Sequence, residues 1–204
     1  MKYVIYDTET TGLNGFDEVV QLAYIVLDEN FFILDANNAY FYPTCRMNKK
    51  AESVNGLSLE LLAELSGGAT FDEFVKTDKY FSQVPYEPLC FVAYNAKFDT
   101  GKVNGTLDKF GVPRVYFGNG NIANNLLSIN DTYSLCMQNT VTRINGGRIK
   151  LFAAVEQYVT DPNKIDDMAD SIAKQFNVFT RGNSYHDAFY DTVATTMLFY
   201  SVYR

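Results

Sequence analysis

A short extended run that ends in two acids constrains this chain more than any other feature. Lys2-Tyr-Val-Ile-Tyr6 is rich in β-branched and aromatic residues and reads as a strand. Side chains two apart on a strand share a face, so Asp7 and Glu9 continue the face begun by Tyr3 and Ile5. A carboxylate on a buried face is costly without a partner, and two side by side repel. Taken alone, an Asp-x-Glu triplet fits a solvated strand end equally well. On a buried face, the usual resolution is a hard divalent cation, which prefers oxygen ligands.

The rest of the chain supplies a sheet for that strand. Residues 17–27 and 31–42 read as two further strands, the second stopped by Pro43, and Asp28-Glu-Asn30 reads as the turn between them. Helices are predicted over 58–65, with Ser58 as N-cap, and over 70–81, capped by Thr70. Leu89-Cys-Phe-Val-Ala93 is a short apolar run after Pro88 and reads as a buried strand. A helix follows over 96–110 and stops at Gly111 and Pro113. The Gly- and Asn-rich stretch 114–125 reads as a loop insertion, and 126–132 as the last strand. Helices are expected at 148–159, 163–176 and 186–203. This order predicts a mixed α/β sheet covered by helices. A length of 204 residues with 47% hydrophobic content suits a single domain over 1–204. Gly118-Asn-Gly120 superficially resembles a dinucleotide fingerprint, but lacks an acidic residue about 20 positions on, and a plain loop is the better reading.

Other features narrow the setting. No run of about 18 apolar residues is present, so no membrane span or membrane partner is expected. Cys45, Cys90 and Cys136 form neither a zinc pattern nor a disulfide framework, which fits a reducing, cytoplasmic location. A net charge of −7 argues against a protein that lives by non-specific attraction to phosphate backbones. It leaves room for a carboxylate-rich metal centre, whose bound cations restore charge locally.

Two more clusters carry chemistry. Tyr94-Asn-Ala-Lys-Phe-Asp99 opens the helix after the buried strand, with Asp99 in the first turn, where the helix dipole favours a carboxylate. Asn95 serves equally as an N-cap. His186-Asp-Ala-Phe-Tyr-Asp191 opens the last helix and holds the chain's only histidine. Asp187 and Asp191 are four apart and share a helix face. Asp187 reads as a first-turn acid with helix-start value only.

Together the clusters match three exonuclease motifs: Asp7-Thr-Glu-Thr-Thr-Gly-Leu13, Asn95-x-x-Phe-Asp99 and His186-x-Ala-x-x-Asp191. In order, spacing and context the chain resembles the DEDDh (DnaQ-like) 3′→5′ exonucleases, such as the proofreading subunits of bacterial replicative polymerases. The segment Val54-Asn-Gly-Leu57 resembles a substrate-contacting stretch of that family. Two departures stand out: Tyr94 where many members have His, and Asn55-Gly56 where many have His-Gly.

The resemblance implies an RNase H-like fold, a mixed five-stranded sheet with helices on both faces. It implies Asp7, Glu9, Asp99 and Asp191 as ligands of two divalent ions, Mg²⁺ or Mn²⁺, with Asp7 bridging both. His186 becomes the general base, a task suited to an imidazole that titrates near neutrality. Thr8, Thr10, Thr11, Gly12, Leu13, Asn55, Gly56, Asn95 and Phe98 become the substrate contacts. The substrate is the 3′ end of a single-stranded nucleic acid, with DNA favoured over RNA, and the products are nucleoside 5′-monophosphates. The chain holds no polymerase domain, so a polymerase or tethering partner is a separate protein. Lys49, Lys50, Lys97, Lys102, Arg143, Arg148 and Lys150 are the basic residues available to phosphate, each read more readily as a solvated surface charge. Two other readings stay open: a non-catalytic scaffold that keeps the fold, and an oligoribonuclease-type RNA-trimming enzyme.

Overall fold

The computed structural model describes residues 1–82, 88–118 and 132–204. Its centre is a five-stranded sheet in the order β3-β2-β1-β4-β5. The strands are β1 (Lys2–Thr10), β2 (Val19–Leu27), β3 (Ile33–Tyr40), β4 (Leu89–Ala93) and β5 (Tyr133–Cys136). The first three form an antiparallel meander, whereas β4 pairs in parallel with both β1 and β5. Every residue of β2 is buried. Its near-continuous apolar run, without alternation, reflects cover on both faces.

The α-helices among the described residues are α1 (Lys49–Asn55), α2 (Leu59–Ser66), α3 (Phe71–Thr77), α4 (Ala96–Lys109), α5 (Met137–Asn145), α6 (Leu151–Tyr158), α7 (Ile165–Phe176) and α8 (Ala188–Tyr203). The alternation along β1 sends Val4 and Tyr6 into an aromatic core with α3 and α4, where Phe81, Phe91 and Phe117 surround Tyr6. Ile5 points the other way, into a second core built on α5 to α8. All residues from Ala188 to Phe199 are buried. This is why the last helix shows no polar stripe: it packs on β1 and β2 while α6 and α7 cover it from outside.

The mixed α/β architecture expected from the sequence is present. Differences are local. Two helices were not anticipated. One is α1, a polar heptamer started by the Asn48 side chain, which accepts from Lys50 N; the other is α5. Helix α3 ends at Thr77, short of 81, because the Asp78 carboxylate caps the amides of Tyr80 and Phe81 and turns the chain. The strand expected over 126–132 lies, apart from Thr132, outside the described residues, as does most of the 114–125 insertion; the fifth strand runs over Tyr133–Cys136. Among the described residues no helix is long and apolar enough to cross a membrane.

Candidate active site

The carboxyl end of β1 gathers the acids. Asp7 and Glu9 lie on the Ile5 face, opposite Ala23 and Gln21 of β2. A register shift between Glu9 and Thr10 then takes the chain out of the sheet. Two helix starts converge on this end from opposite faces. Helix α4 brings Asp99, which is 2% exposed and accepts a 2.8 Å hydrogen bond from Thr8 Oγ1. Its anchor is the Tyr6 hydroxyl, 3.0 Å from Thr100 Oγ1. Helix α8 brings Asp191, whose Oδ1 is buried with no hydrogen-bond partner among the described residues. The donor atoms of Glu9, His186 and Asp191 all lie within 4.8 Å of one another.

Electrostatics follow from this crowding. Burial pushes the Asp7 carboxyl well above the ordinary carboxylate range, and the charges of Asp99, Asp191 and Glu9 push it further. Glu9 is raised in the same way by burial and by Asp191, against the opposing hydrogen bond from Asn55. Burial lifts Asp99 to about 7, with Thr8 pulling the other way. Asp191 also rises to about 7, mainly by burial, opposed by the His186 backbone N–H and helped by Asp187 and Asp99. Four acids in this state cannot all remain charged without added positive charge. The donor set of carboxylate oxygens with one imidazole could hold a metal ion.

The acids open into a cleft of about 980 Å³. Of the residues expected at the site, Asp7, Thr8, Glu9, Thr10, Gly12, Leu13, Asn55, Asn95, Phe98, Asp99, His186 and Asp191 line it. Thr11 and Gly56 do not. The Thr11 hydroxyl is turned back to accept from Glu18 N and to face Asp17, closing the loop after β1. Gly56 ends α1 with φ +68 and gives its carbonyl to Arg181. Asn95 makes no side-chain cap bond to α4, so its amide is free of the capping role weighed for it.

The basic residues separate. Lys50 and Lys150 line the cleft. Lys102, weighed as a phosphate contact, is 7% exposed and donates to the carbonyls of Gly12 (2.8 Å) and Asn14 (2.6 Å). It holds the loop after β1 rather than facing solvent.

The largest correction concerns Asp187. It does start α8, its Oδ1 accepting from Phe189 N at 3.0 Å, but its role is not confined to that. It is 1% exposed and pairs with Arg181 Nη2 at 3.0 Å. The same guanidinium donates to the carbonyl of Asn55 at 3.0 Å. Gln21 Nε2, on the fully buried strand β2, donates to Asp187 Oδ2 at 3.2 Å, while Gln21 Oε1 accepts from Ala188 N. One buried polar network thus joins β2, the end of α1 and the start of α8. It sets the position of His186, which has φ +62, a left-handed backbone that is rare outside glycine.

Tyr94, which stands where many relatives have His, also lines the cleft, but its hydroxyl donates to Ile149 O at 2.6 Å and ties the end of β4 to the start of α6. Phe152 and Tyr185 also line the cleft; no motif marked them.

A family model described as exonuclease (RNase_T) matches residues 4–199. The PolC-type DNA polymerase III of Listeria welshimeri is 27% identical over 113 residues, which is 55% of this chain and 7% of that protein. Its counterpart in Listeria monocytogenes gives the same figures. The chain therefore spans a small part of the curated relatives it matches. Among solved structures, the zinc-bound E. coli ExoI–ssDNA complex superimposes with a TM-score of 0.62 at 17% identity, covering 98% of this chain and 40% of that one. Exonuclease X in complex with 5′-overhanging duplex DNA gives 0.56 at 18% identity, covering 98% and 90%. At these identities the likeness establishes a shared fold, RNase H-like.

Proposed function

The chain belongs to the RNase_T exonuclease family, and on that footing we propose that it is a single-domain, metal-dependent 3′→5′ exonuclease acting on single-stranded ends, DNA before RNA, and releasing nucleoside 5′-monophosphates. The observation that carries this reading is the convergence of four carboxylates from β1, α4 and α8 on one cleft, beside an exposed histidine and with the buried Asp191 Oδ1 lacking any partner among the described residues.

Asp7, Glu9, Asp99 and Asp191 would hold two divalent ions, Mg²⁺ or Mn²⁺, which when bound activate water, stabilise charge on the phosphate and neutralise the leaving oxygen. His186 accepts the proton of the attacking water at its imidazole and, being exposed, returns it to solvent. Thr8 fixes Asp99 by its hydrogen bond. Leu13 and Phe98 pack against the terminal nucleotide, with Thr10, Gly12, Asn55 and Asn95 around it. Contact of this kind tolerates any base. Lys50 and Lys150 take the backbone phosphates.

With a net charge of −7, binding to the strand is weak and distributive unless a separate partner tethers the enzyme. The similarity to polymerase III proteins supports a polymerase as that partner, and we assign the enzyme to the cytoplasm, with its substrate. Retention of all four acids and the histidine speaks against a non-catalytic scaffold.

The test is a gel assay on matched 5′-labelled single-stranded DNA and RNA, with Mg²⁺, Mn²⁺ or EDTA. The expected result is a metal-dependent ladder that shortens from the 3′ end, faster on DNA. Asp7→Ala lowers the rate roughly a thousandfold, the several kcal/mol that ions contribute to such a transition state. Faster cleavage of RNA would move the assignment to RNA trimming, and folded protein that degrades neither would overturn the reading.

A further inference from the structure

The cleft has two apolar walls, one from each side of the sheet. Leu13 and Phe98 stand on the side of α4. The opposite wall comes from α6 and the turn before α8, and it carries Phe152 and Tyr185. The Phe152 and Tyr185 ring centroids are 4.0 Å apart. Behind them, Tyr190 stacks on Phe152 at 5.9 Å with an interplanar angle of 18°. Tyr190 is buried, and its hydroxyl donates to Asp166 Oδ1 at 2.8 Å. The stack is therefore anchored in the core, while its outer member, Tyr185, is 61% exposed. An aromatic ring held rigid from behind and presented to a cleft is a surface for another flat ring.

We propose that Phe152 and Tyr185 form a second base-stacking subsite, for a nucleotide on the 5′ side of the scissile phosphodiester. The inference rests on the exonuclease reading above and extends it. β1, which carries Asp7 and Glu9, separates the core packed on α4 from the core packed on α6, and its acids, Asp99, Asp191 and His186 open into the same cleft as both walls. The terminal nucleotide and its 5′ neighbours lie on opposite sides of the phosphate that is cut. With the terminal nucleotide against Leu13 and Phe98, the upstream strand faces the Phe152–Tyr185 wall. Charge agrees with a base at this place rather than a phosphate. Lys150 stands at the near end of the wall, whereas Glu156, one turn beyond Phe152, also faces the cleft and repels a phosphate there. Stacking of this kind selects for an unpaired strand without selecting its sequence.

The experiment compares two substrates that share the terminal position. One is the methyl ester of thymidine 5′-monophosphate, whose leaving group carries neither a base nor any other ring; the other is a short single-stranded oligothymidylate. The readout is the ratio of their kcat/KM values. Tyr185→Ala lowers the oligonucleotide-to-ester ratio about tenfold through a higher KM for the oligonucleotide, the loss expected for one stacked base. Tyr185→Phe, which keeps the ring, restores most of it. Phe152→Leu, which keeps bulk but not the π face, shifts the ratio in the same direction as Tyr185→Ala. Equal losses on both substrates, or equal ratios for Tyr185→Ala and Tyr185→Phe, would overturn the subsite. Wild-type protein that cleaves neither substrate would instead remove the exonuclease reading, and the subsite with it.

Discussion

Asp99 and Asp191 occupy matching places on opposite sides of the sheet, and they are held differently. Each sits in the first turn of a helix, each is buried, and burial lifts each to about 7. Asp99 is satisfied from within: Thr8 donates to it, and the Tyr6–Thr100 contact pins its helix to β1. Asp191 keeps a buried oxygen without a partner among the described residues, and next to it stands an exposed histidine on left-handed backbone. In the reading proposed here, geometry is fixed on the α4 side and chemistry is done on the α8 side.

The largest expected effect tests the α8 side directly. His186→Ala should cut kcat roughly a hundredfold to a thousandfold, the usual contribution of a general base. A loss of only severalfold would break the division of labour. Next is the network that positions that histidine. Arg181→Met leaves the buried Asp187 charge unpaired and should cost about 3 kcal/mol of stability, read as a lower melting temperature with a fall in kcat. Unchanged melting would mean Asp187 is held without Arg181. Smaller still, Thr8→Val removes one donor to Asp99 and should cost about 1–2 kcal/mol. It should also bring metal affinity on the α4 side down, and a variant as tight and stable as wild type would show that Asp99 needs no help.

The smallest effect is a pH dependence in metal-free protein. An acid raised in the folded state holds its proton there at pH values where the unfolded chain has released it. Its contribution to stability is therefore full below the ordinary carboxylate value, is lost as pH rises towards about 7, and stays lost above it. Melting temperature should fall by a few degrees between pH 5 and 7 without metal, and the fall should vanish with Mg²⁺, which replaces the protons. A flat profile without metal would mean the four acids do not crowd one another in solution.

What could be read from the chain alone divides along a physical line. Asp7, Glu9, Asp99, His186 and Asp191 announce themselves because each lies in a short motif at the end of a strand or the start of a helix, where local spacing carries the signal. The buried strand 89–93 was legible for the same reason. Asp187 was misread as a mere helix starter because its partners, Arg181 and Gln21, meet it only through the tertiary fold. Lys102 looked like a surface charge because nothing local marks the Gly12 and Asn14 carbonyls that bury it. Phe152 and Tyr185 are far apart along the chain, and an aromatic residue that lines a cleft has the same sequence signature as one that fills a core.

The sheet order also sets a sequence of events in folding. β1, β2 and β3 pair with near neighbours along the chain, so the meander that carries Asp7 and Glu9 can form early. Asp191 arrives with the last helix, whose contacts with β1 and β2 span almost the whole chain. Until α8 docks, Asp7 and Glu9 do not feel the charge of Asp191. Their mutual repulsion with Asp191 falls on the docking of α8. A divalent ion present during refolding should act on that late step and leave the early one alone.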